Sequence, residues 1–171
     1  MVLLDALAGL VPPARLHVGH VDHALQPESR GWAAFVADRA RALGIGASIQ
    51  RLDTAPAAGD SLEAWARAAR YAALDHMARD ARCDLVACAH HADDQVETLL
   101  IALGRGGGVG GLAAMAPVRI AGNRPDAGFD VHRPLLGLPR ATLEAYARAR
   151  GLEFVEDPSN RDCRFTRNAL R

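Results

Sequence analysis

The feature that most restricts this chain is the junction at residues 84 to 97, DLVACAHHADDQVE. Asp84 to Ala89 is a short, continuous apolar run, suited to a strand buried on both faces of a sheet. It ends at His90-His91, and a helical pattern with Val96, Leu99 and Leu100 inside follows from about Ala92 to Leu103. A strand that delivers straight into a helix belongs to a layered α/β structure, where ligands gather at the carboxyl ends of strands.

The same alternation runs along the rest of the chain. Residues 15 to 21 (RLHVGHV) form a β-prone run ending at Asp22, before a loop with Pro27. Residues 30 to 43 place Trp32, Phe35, Val36 and Leu43 on a helix that Gly44 stops, and residues 47 to 52 read as a second strand. Asp60-Ser61-Leu62-Glu63 supplies a cap with Glu at the third following position, opening a long helix through Leu62, Trp65, Ala69 and Leu74. From Arg105 to Pro134 the chain is rich in Gly and Pro and reads as loop with short strands. Pro139 starts a helix that Gly151 stops, and Phe154-Val155 is the next strand. The expected fold is α/β, a mostly parallel sheet with helices on both faces. No repeat or low-complexity linker interrupts it, so residues 1 to 171 are expected to form one domain.

Composition removes several classes. Half of the 171 residues are hydrophobic and 23% are charged, which is not the make-up of a disordered polymer. The 20 basic residues, all arginine, balance 20 acids, so the overall basic excess of a simple nucleic-acid binder is missing, although a local patch is not excluded. Cys83, Cys88 and Cys163 are odd in number and lack Cys-x-x-Cys spacing, which fits free thiols in a reducing compartment. No run approaches the ~20 apolar residues of a membrane span, and no basic n-region precedes the apolar start, so a cytoplasmic location is expected. Val2, Leu3, Leu4, Leu7 and Leu10 read as a helix with no cap residue before it.

Chemistry concentrates after the strand at 84 to 89. Asp93, Asp94 and Glu97 fall in the first turns of the helix, where the dipole favours negative charge, and Asp94 and Glu97 share a face. They suit Mg²⁺ with phosphate, or a cationic substrate; the alternative is an acid-rich helix start without chemistry. Zinc is disfavoured, because His90 and His91 are adjacent and no His-Glu-x-x-His spacing occurs. Along a strand His17 and His23 would share a face that His20 opposes, a poor arrangement for chelation. Asp22 and His23, at the strand's carboxyl end, are better placed for a ligand. Gly106 to Gly111 contains the G-x-G-x-x-G pattern but follows a helix, so a nicotinamide site is rejected. Beside Arg105 that loop is either an anion contact or a crossing loop. Arg67 and Arg70, with Glu63 one turn earlier, are either a solvated salt-bridged face or guanidinia aimed at phosphate or carboxylate. Near the end, EDPSN and Arg167, Asn168 and Arg171 combine turn formers with arginines. By themselves these features indicate nucleotide or phosphate handling.

Taken in order, HVDHALQPES, SLEAWARAARYAAL, HHADDQVETLL, RGGGVGGLAAM, RPLL and EDPSNRDCRFTRNALR resemble the tRNA(Ile)-lysidine synthase family of N-type ATP pyrophosphatases. The resemblance covers nearly the whole chain. It implies a ligase in which ATP adenylates the C2 oxygen of the wobble cytidine of the CAU anticodon of isoleucine tRNA, and L-lysine then displaces AMP. It implies that Asp94 and Glu97 are the acids at the Mg²⁺ and lysine end, with Asp94 the Mg²⁺ ligand. Arg67 and Arg70 would be the catalytic, ATP-side arginines. His23, His90, His91 and Asp93 would contact ATP or substrate, and Arg167, Asn168 and Arg171 would lie on the tRNA side. A homodimer is the further expected partner, and no membrane is.

Two departures shape the expectations. Family members begin with a strand and a Ser-Gly-Gly-x-Asp-Ser loop, whereas Met1 to Leu4 match only the helix after it; in the family that strand lies between those at 15 to 21 and 84 to 89. The chain is therefore expected to be a fragment or to carry a misplaced start, and to be poorly stable and inactive alone. Asp22 also stands where Asn is common. Competing expectations are a noncatalytic tRNA-binding remnant of this fold, a related tRNA-thiolation enzyme, for which Cys83 and Cys88 do not look like a redox pair, and a nucleotide-binding stress domain, which has no need of the acidic block.

Overall fold

The computed structural model describes residues 1–24, 26–52, 61–104, 106, 113–120 and 129–155. In order these form α1 (Val2–Ala8), a 3-10 turn (Pro13–Arg15), β1 (His17–Asp22), α2 (Ser29–Ala42), β2 (Gly46–Arg51), α3 (Leu62–Asp80), β3 (Leu85–Ala87), α4 (Ala92–Gly104), β4 (Val118–Arg119), β5 (Asp130–His132) and α5 (Arg140–Ala149). The chain divides into two compact units, which β3 and β5 each enter: Leu7–Val86 with Ile120–Val131, and Met1–Ala6 with Ala87–Arg119 and the chain from His132.

In the unit built on Leu7–Val86, β1 and β2 pair in parallel from His17 opposite Gly46 to Asp22 opposite Arg51. The two faces of β1 are covered by different helices, as alternation of side chains requires. Gly19 has no side chain, and a Cβ there would lie 3.4 Å from Leu74 and Met77, so α3 packs closely on this face. Asp22, on the other face, meets Ser29 at the start of α2. Ala33, Ala40, Ile45, Ala73 and Met77 are buried between these layers. The α/β class, a parallel strand pair and helices on both faces are as expected.

Helix ends follow local chemistry. After α2, Gly44 (φ 67°) and the bond from Ile45 N–H to Ala40 O close the last turn; Gly151 (φ 59°) and Leu152 N–H to Ala147 O do the same after α5. After α3 the left-handed position is Arg82 (φ 53°), with Cys83 N–H on Ala78 O, so a non-glycine residue carries that conformation. The N-cap of α3 is Ser61, whose side chain accepts from Ala64 N–H. The cap thus sits one residue later than the Asp60–Glu63 pattern suggested.

In the other unit, α1 and α5 meet at the buried carboxylate of Asp5, whose Oδ2 accepts from Tyr146 Oη–H at 2.9 Å and Arg150 Nε–H at 3.1 Å. The order β3-β5-β4 forms a second sheet. Cys88 N–H, just past β3, donates to the carbonyl of His132, the last residue of β5, so the carboxyl ends of these neighbours lie side by side. Two expectations fail. The run at 84 to 89 contributes only three residues to a strand, and Leu85 is 46% exposed, because among the described residues β3 lies at the edge of its sheet rather than sandwiched inside one. Phe154 and Val155 form no strand and are exposed, with no partner strand among the described residues. Val96, Leu99 and Leu100 belong to α4 as expected but are exposed on it.

Candidate functional site

At the carboxyl end of β1, Asp22 is buried, 4% exposed, and spends its carboxylate on the chain itself. Its Oδ1 accepts from Ala24 N–H at 2.8 Å, and its Oδ2 accepts from Arg51 Nη1 at 2.6 Å across the last rung of the ladder, with the Ser29 hydroxyl nearby. Burial raises its pKa, but the Ala24 amide, the nearby Ser29 hydroxyl and the Arg51 guanidinium outweigh that and hold it below the ordinary carboxylate range. The expectation that Asp22 is placed for a ligand is corrected: it organises the loop. It supports Ala24 at φ 56°, a conformation that L side chains rarely adopt.

That loop presents His23. Arg70 Nε–H donates to His23 Nε2 at 3.3 Å, and Trp65 meets the imidazole edge-on with centroids 6.4 Å apart. Burial first, then the Arg70 charge, lower the His23 pKa against the opposing pull of Asp22. A neutral ring whose Nε2 accepts from Arg70 carries its proton on Nδ1. His20 is likewise lowered by burial, with Asp22 opposing. Arg67, exposed on α3, lies over the ring of its own i+4 neighbour Tyr71 at 5.3 Å. Arg70 therefore joins His23, while Arg67 stacks on Tyr71. His17 instead bonds Ser48 on β2 at 2.8 Å.

The acids are set by the first turn of α4. Asp94 Oδ2 accepts from His91 N–H at 2.9 Å, with the His91 ring 3.6 Å away. This is the backward half of a capping box, with His91 at the cap position and Asp94 three residues on. Thr98 Oγ1 donates to Asp94 O at 2.7 Å, and Glu97, one turn along, is only 5% exposed. Asp93 turns elsewhere: its Oδ1 accepts from Arg140 N–H at 3.0 Å, the first amide of α5, while Ala92 N–H donates to Leu138 O at 2.9 Å. Asp93 thus ties two helix N-termini together, a favourable place for negative charge. His90 lies half-buried in the same strand-to-helix turn.

Arg105, most of the Gly-rich stretch, Glu63 as a side chain, Cys163, and Arg167, Asn168 and Arg171 lie outside what is described. Cys83 and Cys88 are both half-buried. Missed from sequence were the Asp22–Arg51 pair and the side-chain contacts of Gln95 and Arg133, whose partners are 17 to 29 residues away in the chain.

The model of the family described as the PP-loop domain matches residues 1–171. Curated relatives named tRNA(Ile)-lysidine synthase include those of Ralstonia nicotianae, 44% identical over 93% of this chain and 33% of that protein, and of Pseudomonas aeruginosa, 47% identical over 99% and 37%. The chain thus spans about a third of the length of these relatives. Among solved structures, the U34-tRNA thiolase NcsA from Methanococcus maripaludis with its [4Fe-4S] cluster superposes with a TM-score of 0.75 at 17% identity, over 98% of this chain and 57% of that one. At that identity the likeness is one of fold.

Proposed function

This chain belongs to the PP-loop domain family, and from that membership we propose that it is the nucleotide-handling part of a ligase. The ligase joins L-lysine to the wobble cytidine of the CAU anticodon in isoleucine tRNA. The observation that carries the reading is the start of α4, where Asp94 in the first turn and Glu97 in the next follow the carboxyl end of β3, in a chain 44 to 47% identical to tRNA(Ile)-lysidine synthases.

The chemistry asks for two things that these residues can offer. Polyphosphate needs cationic donors, and Arg67 and Arg70 are exposed guanidinia on one helix face, one of them oriented by His23. An amine nucleophile arrives as an ammonium, and carboxylates at 94 and 97 suit its recognition until it gives up a proton. Adenylation would place AMP on the C2 oxygen with loss of pyrophosphate; attack by the amine would then form the C–N bond and release AMP.

Among the described residues no three His, Cys, Asp or Glu side chains form a group that could hold a metal. The residues fit a Mg²⁺ that travels on the nucleotide phosphates and takes one carboxylate from the protein, which Asp94 would supply. When bound, that ion would neutralise phosphate charge. No helix among the described residues is long and apolar enough to cross a membrane.

The test is incorporation of labelled lysine into isoleucine tRNA bearing CAU, by the protein as the cell makes it. Incorporation that requires ATP is expected. None with that tRNA, despite intact nucleotide binding, would leave the noncatalytic reading in its place.

A further inference from the structure

Gln95 stands between Asp94 and Glu97 on α4 but makes its contacts far along the chain. Its Oε1 accepts from Met115 N–H at 2.8 Å and its Nε2 donates to Met115 O at 2.7 Å, so one side-chain amide closes on both groups of one residue's backbone. The next two carbonyls are also taken. Arg133 Nη1 donates to Ala116 O at 2.7 Å, and Arg133 N–H donates to Pro117 O at 2.8 Å. Arg133 is only 5% exposed, so a permanently charged side chain is buried with its Nη1 on a backbone oxygen. Immediately before this clamp Ala114 has φ 51°. A non-glycine residue holds that conformation only where its surroundings over-determine it.

We propose that Gln95, with Arg133 behind it, is a positioning residue that locks the segment leaving the Gly-rich stretch to the acid-bearing turn of α4. Three consecutive carbonyls and one amide of residues 115 to 117 are fixed from two directions. The turn that carries Asp94 and Glu97 therefore holds its place through a contact that touches neither acid. The consequence for lysine rests on the function proposed above; the mechanical coupling does not.

The experiment uses the native protein and two variants, Gln95→Met, which keeps length and loses both hydrogen bonds, and Gln95→Glu. Backbone amide exchange is read at residues 94 to 97 and 115 to 116, together with KM for lysine and for ATP. With Gln95→Met, exchange is expected to rise at both segments. The KM for lysine is expected to rise about tenfold, as loss of two hydrogen bonds allows, with that for ATP within about twofold. Gln95→Glu is expected to recover as pH falls, because a protonated carboxyl again offers one acceptor and one donor. Exchange confined to 115 and 116, or a KM for lysine that does not move in an active protein, overturns the proposal. If the native protein never uses lysine, the proposed function fails, and the exchange at residues 94 to 97 decides the coupling alone.

Discussion

Asp94 folds its Oδ2 back onto the backbone N–H of His91, 2.9 Å away, so the acid expected to do chemistry is also the residue that starts its own helix. One side chain holds two duties, and substitutions separate them. Asp94→Asn retains an acceptor oxygen and should keep the fold, whereas Asp94→Ala should cost about 1 kcal/mol of stability, the usual value of a cap. Both should lower lysine incorporation by about a hundredfold, the scale on which a placed polar group acts in a transition state. Chemical denaturation alongside the lysine assay separates the two effects. An Asp94→Asn protein with full activity would remove Asp94 from the site.

Asp93 differs from its neighbour despite the shared block. Because its carboxylate accepts from the first amide of α5, Asp93→Ala should destabilise by about 0.5–1 kcal/mol while leaving the KM for ATP within about twofold. Urea unfolding and initial rates read this. A large rise in KM with unchanged stability would return Asp93 to the substrate.

Stability should fall toward acid in two stages. His20 and His23 have pKa values below the ordinary 6.5 in the folded state, so the unfolded chain takes up protons first as pH drops through that value, and stability declines from there. Asp22, held below 3.8, adds a second loss under that pH as its carboxylate is protonated. Asp22→Asn should remove the lower stage, and thermal melts between neutral pH and pH 3 resolve the two. A flat profile from pH 7 to 5 would mean the imidazoles are not buried as described.

Much of this was legible where the signal is local. The strand–helix alternation, Gly44 and Gly151 as stops, and the acids opening α4 each follow from neighbouring residues, and each occurs. What sequence could not show was tertiary. The run at 84 to 89 reads as doubly buried because apolar content says nothing of whether a strand lies at an edge. Asp93 and Asp94 look equivalent in HHADDQ, and only α5 distinguishes them. Gln95 looks like filler because its partner lies 20 residues on.

The joint between α1 and α5 should be sensitive to base. Asp5 raises the Tyr146 pKa, chiefly by accepting its hydrogen bond, so the neutral phenol is favoured in the folded state. That stabilisation is complete below the ordinary tyrosine value of 10 and is lost as pH rises through the folded value. Tyr146→Phe should lower Tm at pH 8 and flatten the alkaline decline. Unchanged melting across pH 8 to 11 would show that the phenol contributes nothing.

We propose that this fold serves attachment of an amine to a tRNA base. It is tested most directly by mass spectrometry of nucleosides from CAU-bearing isoleucine tRNA incubated with the native protein, ATP and lysine. A wobble cytidine that gains lysine only when ATP is present, and not with Glu97→Gln, is the expected result. Unmodified cytidine, or a nucleoside that gains sulfur instead, would contradict it.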